Sequence, residues 1–308
     1  MFKKYIAIFV GQVLTYTSGL ILIPFIVKTS GTALYGSYVI VISFLGILTG
    51  ISTLGTGFTA QRFLPSINNK EERSNIFYPQ FYFNFLSSIL LGIIAFLSLP
   101  LIEKYFLGGE TDFSEYLVVL YLISYVLYAQ TTSIFRYTHQ VNIYSIFTTL
   151  YPYIFLITIV FWYMFDEAIS INALIISQII ALILVFILLI VPSIKSVSFK
   201  LTWYNKYTFN KDIKYGFPLI IVVIFELIVN VSDRYVIASY MSLDSVAFYT
   251  IAYSAGSILF LLPKVIGIVL PPIMSNLHDK GEQDKIDSMI SLAAVSYTHL
   301  TLPTNREV

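Results

Sequence analysis

Apolar residues fall along the chain in blocks of about 20, separated by short polar breaks, and a block of that length spans the ~30 Å hydrocarbon core of a bilayer as a helix. Eight such blocks run approximately over 5–27, 37–60, 82–102, 116–135, 142–164, 169–191, 217–238 and 246–272, and "KIDSMISLAA" opens the pattern of a ninth. The first block is longer than the apolar core of a signal peptide and lacks a small-residue cleavage site, so it reads as a retained first helix. The pattern predicts an all-α, polytopic membrane helix bundle.

Composition agrees. Hydrophobic residues make up 57% of the 308 positions and charged residues 11%, with mean hydropathy +0.81, against roughly 25% charge in a soluble domain. The net charge of +1 says little, because in such a chain the sidedness of charge matters more than its sum. The segments that share a side with the N-terminus hold most of the 18 Lys and Arg, among them Lys3, Lys4, Arg62, Arg136, Lys280 and the five lysines between Pro192 and Tyr215. The opposite loops are acidic, with Glu103, Glu110, Asp112, Glu115, Asp166 and Glu167. This asymmetry predicts a cytoplasmic N-terminus. The absence of cysteine excludes disulfides and thiolate metal sites. No Walker A loop is present, nothing points to nucleic acid, and all loops are too short to house an enzyme domain.

The tail "VSYTHLTLPTNREV" leaves the pattern, and its codons read as a sequencing adapter translated in frame. Residues 295–308 are therefore expected to be foreign, with the natural chain continuing past Ala294. Aligning "SYVIVISFLGIL" with "FYTIAYSAGSIL" matches Tyr38/Tyr249, Ile40/Ile251, Ile47/Ile258 and Leu48/Leu259. The same offset lays the first span over the seventh. With six spans between them the two halves have the same orientation, as in parallel repeats related by an axis along the membrane normal. The expected organisation is a six-helix lobe over 1–192, a basic linker over 193–215, and the start of a second lobe over 216–294.

The stretch "FELIVNVSDRYVIASY" puts charge where none is cheap. On a helix Glu226, Asn230 and Asp233 share one face, with Arg234 beside it. A charge at mid-bilayer costs on the order of 2.5–3.5 kcal/mol, so that face must line a bundle interior or a watery cavity. Glu226 lies roughly 15 Å beyond Gly216, and Lys264 lies about 12 Å from Pro271 and Pro272, by the helical rise. The two depths match, and pairing between Glu226 and Lys264 is expected, either as part of a transport path or as a structural ion pair. Pro24 should kink the first helix.

"GTALYGSYVIVISFLGILTGISTLGTGFTAQRFLP" and "IKYGFPLIIVVIFELIVNVSDRYVIASYMSLDSVAFYTIAYSAG" resemble the second helix and the start of the second lobe of polysaccharide and oligosaccharide-lipid flippases, in the multidrug/oligosaccharidyl-lipid/polysaccharide exporter superfamily. The resemblance covers 1 to about 294. It implies a two-lobed exporter fold with lobe 1 complete at six spans and lobe 2 truncated after about two. It also implies alternating access across the bacterial inner membrane, and an undecaprenyl-pyrophosphate-linked oligosaccharide as substrate. Pyrophosphate asks for cations, which bind its oxygens through charge-assisted hydrogen bonds. Arg62 and Lys264 are the leading substrate-binding candidates, with Arg234 on the exit side and Asn230 beside it. Arg136 fits an anchor at the cytoplasmic mouth better, His139 a solvated loop, and Arg62 fits an anchor as well. Glu226 and Asp233 are the candidate proton or sodium carriers, and no other cofactor or metal is expected. A multidrug or small-molecule cation antiporter of the same superfamily is the alternative, and would favour an aromatic, acidic cavity.

Overall fold

The computed structural model describes residues 2–107, 113–165 and 169–301, of which 2–5, 262, 293 and 295–301 are described as backbone only. Eleven α-helices follow one another: α1 (Phe2–Ser30), α2 (Thr32–Ser52), α3 (Thr56–Phe63), α4 (Lys70–Phe106), α5 (Tyr116–Tyr137), α6 (Val141–Phe165), α7 (Ile171–Ser196), α8 (Lys206–Tyr240), α9 (Leu243–Gly256), α10 (Leu261–Asp279) and α11 (Gln283–Thr301). Among the described residues, eight helical segments are long and apolar enough to cross a membrane. Lysine and arginine gather where α1 begins and α3, α5, α7 and α10 end, here termed the basic end.

Local chemistry sets many of the boundaries. Asn69, Ser170, Asn205 and Ser242 cap α4, α7, α8 and α9 by accepting hydrogen bonds from Glu71 N, Ala173 N, Thr208 N and Ser245 N. At about 1.5 Å per residue, the 37 residues of α4 and the 35 of α8 exceed the hydrocarbon thickness, so both helices project beyond it. Pro24 lies inside α1, which continues through it to Ser30.

Two spans differ from the sequence-based expectation. The second, expected to be continuous over 37–60, breaks after Ser52: Leu54 and Gly55 adopt positive φ values of 42° and 77°, and α3 starts afresh. The eighth, expected over 246–272, is divided into α9, a 3-10 turn at Ser257–Phe260, and α10. In both cases apolar residues continue on the two sides of the break, so the length of the apolar block alone does not register a change of backbone direction. The ninth span's opening is helical, as α11. The expectation that 295–308 is foreign falls on residues 295–301, known only as helical backbone, and on 302–308, outside the described residues. Glu110, Asp112, Asp166 and Glu167 lie outside them too.

The segment expected as the first lobe comprises α1 to α7. Leu45, Val118, Leu122, Ile159, Leu174 and Leu182 form its centre, each fully buried. A second cluster near the basic end packs Leu64 against Ile134, Phe135, Val185 and Leu189. Apolar faces of α4 and α6, with Leu90, Leu97 and Phe161, are exposed as bilayer-facing surfaces require. Some polar groups inside find partners: Asn84 Nδ2 donates to Thr56 Oγ1 at 2.8 Å, and Gln178 Nε2 to Tyr38 OH at 2.6 Å. Apart from Glu71, Glu72 and Glu103 near the ends of α4, the seven helices of this lobe contain no carboxylate.

Candidate transport path

The second half begins by repeating the first. Shifting Thr32, where α2 starts, by 211 residues gives Leu243, where α9 starts, and the ends of α1 and α8 agree within a residue under the same shift. Equivalent positions also touch. Asn276 Nδ2 donates to Pro65 O at 3.0 Å across that same separation of 211, and Arg62 meets Ser275 across 213. At the other end of the bundle Thr32 Oγ1 donates to Asp244 Oδ1, a separation of 212. Elements that meet their own repeats at both ends of a span flank a pseudo-two-fold axis running along that span, between α2–α3 and α9–α10.

The contacts at the basic end form a latch. Arg62 Nη2 donates to Asp279 Oδ1 at 2.8 Å, Arg62 Nη1 donates to Ser275 Oγ at 3.1 Å, and Ser66 Oγ donates to Asp279 Oδ2. The hydrogen bond from Arg62 holds the Asp279 carboxyl well below the usual carboxylate range, helped by Ser66 and His278. The same bond raises the Arg62 guanidinium. Because the folded carboxyl titrates below its unfolded value of 3.8, its contribution is complete above about pH 4 and is lost as pH falls below that. The pair is partly exposed, so the effect is about a few tenths of a kcal/mol. Thermal unfolding followed from pH 6 to pH 3 should show this loss, and Asp279→Asn should be less stable at pH 6 and lack that part of the acid dependence.

Two cavities open beside the latch. One of about 370 Å³ is lined by Phe58, Arg62, Tyr215, Pro271 and His278. Another of about 330 Å³ is lined by Arg136, His139, Asn276 and Lys280 with Val141 and Pro272. Arg136 is neither a lipid anchor nor a free cation there. Pro271 and Pro272 have no N–H, so in α10 the carbonyls four residues back, of Gly267 and Ile268, lose their helical donors. Arg136 supplies both, Nη2 to Gly267 O and Nε to Ile268 O, each at 2.9 Å.

Deeper along the path, Lys264 is exposed, with its ammonium 5.5 Å from the centroid of Tyr16 at the middle of α1. Glu226 and Asn230 are exposed on α8. The expected Glu226–Lys264 pair is not formed: neither residue belongs to any ion pair among the described residues. Their helices are separated by the packing of α8 onto α2 and of α10 onto α1. Exposed charges at this depth require a watery face rather than lipid.

Toward the far end the charges are internally satisfied. Arg234 is buried, donating from Nη1 to Asn230 O at 2.6 Å and lying over the Tyr253 ring at 5.1 Å. Asp233 accepts from Arg234 N at 2.8 Å and from Tyr249 OH, and its carboxylate is 3.9 Å from the guanidinium. Arg234, which the sequence placed on the exit side as a substrate ligand, is thus turned into α8–α9 packing. Sequence reasoning missed Asp279, Ser66, Tyr249 and Tyr16 as partners; the repeat offset, carried from Arg62 to the end of α10, was the available signal for the first.

Residues 1–278 match the family described as polysaccharide biosynthesis protein. No protein of curated function matches the sequence. Among solved structures, the chain is similar to the MATE multidrug transporter DinF-BH, with TM-score 0.77, 13% identity, and coverage of 97% of this chain and 70% of that one. It is also similar to a mutant of the Vibrio cholerae MATE transporter VcmN, with TM-score 0.74, 13% identity and the same coverages. A MATE protein in the straight conformation matches at TM-score 0.67 and 15% identity, over 97% and 69%.

Proposed function

Because this chain belongs to the polysaccharide biosynthesis protein family and is a multi-pass membrane transporter with the fold of the MATE exporters, we propose that it flips a polyprenyl-pyrophosphate-linked oligosaccharide. Movement is from the cytoplasmic to the outer leaflet of a bacterial inner membrane, by alternating access. The basic end then faces the cytoplasm, in keeping with the Lys and Arg asymmetry.

The observation that carries this reading is Lys264. It is an exposed ammonium halfway along the α9–α10 span, with an aromatic ring below it and no carboxylate partner among the described residues. A cation left unneutralised at that depth is suited to an anionic passenger, whose phosphate oxygens would supply the missing partner. Losing a hydrogen bond to a charged group costs about 1.5–3 kcal/mol. Lys264→Gln should therefore weaken apparent substrate affinity by roughly ten- to a hundredfold at 1.4 kcal/mol per decade, measured as substrate dependence of flipping in proteoliposomes, while Lys264→Arg retains most of it. Stability should be unchanged or higher, since an unpaired charge is removed.

The rival reading, export of lipophilic cations, draws on Glu226, an exposed carboxylate at comparable depth. The seven helices of the first lobe carry no interior acid, so a proton or sodium carrier would have to lie in the second half, with Glu226 as the accessible candidate. Proteoliposomes separate the two readings. Translocation of a fluorescent lipid-linked oligosaccharide, scored by its accessibility to an external quencher, is expected. Efflux of a cationic dye without any lipid-linked oligosaccharide movement would reverse the assignment.

A further inference from the structure

The segment joining the lobes has its polarity inside out. Between α7 and α8 the chain runs without regular structure from Val197 to Asn205, and its side chains alternate in exposure. Phe199, Leu201 and Trp203 face outward at 73%, 87% and 57% exposure, while Ser198, Lys200, Thr202 and Tyr204 lie against the protein. In water the apolar row would be turned inward.

The inversion is built in by the polar bonds of the inner row. Ser198 N donates to Ser74 Oγ at 2.8 Å, Tyr82 OH to Lys200 O at 3.1 Å, and Lys200 Nζ to Asn75 Oδ1 at 3.1 Å. Tyr204 OH donates to Oδ2 of the buried Asp212 at 2.6 Å, and Gln80 Nε2 donates to the same oxygen at 2.8 Å. Val197, 1% exposed, fixes the start of the segment in the core. The outer row continues into rings on α4: Phe199 packs edge-on to Tyr78 at 5.6 Å, and Trp203 stacks on Tyr82 at 6.2 Å. Exposed Lys195, Lys206 and Lys214 flank this apolar strip along the chain, and the only acid in the stretch, Asp212, is buried.

We propose that residues 197–209 are an interfacial strap that binds anionic phospholipid. Its Phe199–Leu201–Trp203 row sits at the boundary of headgroups and acyl chains, and Lys195, Lys206 and Lys214 hold the phosphates of the same leaflet. An outward apolar row flanked by lysines matches a surface that is apolar just below a layer of negative charge, and it lies at the basic end of α4, where that helix emerges from its apolar stretch. Each lysine near such a surface contributes roughly fivefold to local anionic-lipid occupancy.

The chain's two tryptophans make the strap directly readable. Trp162→Phe leaves Trp203 as the single reporter, in nanodiscs carrying brominated phosphatidylglycerol or brominated phosphatidylcholine at equal mole fraction. Quenching of Trp203 by the anionic lipid should exceed that by the zwitterionic one at least about twofold. The excess should vanish in Lys195→Gln/Lys206→Gln/Lys214→Gln, and, in the protein with its lysines intact, in 1 M salt, where the screening length is about 3 Å. Trp203→Phe, which leaves Trp162 on α6, should show no such preference. Equal quenching of Trp203 by the two lipids, quenching by neither because another protein segment covers the strap, or a preference that survives both neutralisation and salt would each overturn the proposal.

Discussion

Arg136→Ala should destabilise the protein by about 1–3 kcal/mol. The figure follows from two lost hydrogen bonds, one part-buried and one exposed, at about 0.5–1.5 kcal/mol each. Gly267 and Ile268 present carbonyls that Pro271 and Pro272 cannot serve, and the guanidinium reaches both from α5. Lysine cannot repair the loss, because a single ammonium lacks the fork that holds two carbonyls at once. Thermal unfolding in detergent should therefore rank wild type above Arg136→Lys and Arg136→Lys above Arg136→Ala. Combining Arg136→Ala with Pro271→Ala and Pro272→Ala, which return the helical donors, should recover much of the difference. A wild-type melting temperature in Arg136→Ala would refute the carbonyl-bridging role. The bond joins α5 to α10, so its loss should also lower transport activity below the level explained by the remaining folded protein.

Gly55→Ala should cost more. Gly55 sits at φ 77° in the break between α2 and α3, where an L side chain costs about 1–2 kcal/mol. An added Cβ would also lie 2.3 Å from Gly216 O, and one on Gly216 would lie 2.5 Å from Gly55 O. Both obstacles are backbone, so one helix must retreat, at a further cost of about 1–3 kcal/mol. Gly50→Ala is the control: its closest approach would be to Leu227 Cδ1 at 2.6 Å, the tip of a side chain that can rotate away. Measured by the same unfolding assay, Gly55→Ala and Gly216→Ala should fall well below Gly50→Ala. Similar values for all three would mean that α2–α3 and α8 do not cross backbone to backbone.

The cost of these glycine substitutions explains part of what the sequence could not show. Apolar residues continue through Ile51, Leu54 and Phe58, so the second span reads as one helix; at the turn, Gly55 faces Gly216 of α8 backbone to backbone. Pro271 and Pro272 announce two unserved carbonyls in any reading, yet nothing near them in the chain names Arg136 as their donor. Arg62 and Lys264 were legible as unusual cations, but their roles diverge only in three dimensions. Arg62 finds Asp279 and becomes half of a latch, whereas Lys264 finds a tyrosine ring and keeps its charge unneutralised.

By itself, the sequence determined that this is a helical, multi-pass membrane protein, and it set the expectation of a six-span first lobe, a lysine-rich linker and a second half that repeats the first. Each of those follows from local quantities: block hydrophobicity matched to bilayer thickness, the placement of Lys and Arg, and a recurring pattern 211 residues apart. The tertiary structure alone decided which charges are spent on one another and which stay available, where a span bends, and which way the linker turns its apolar row. Those outcomes depend on pairings between residues far apart in the chain, and in a low-dielectric interior a single such pairing decides whether a polar group is satisfied or costly.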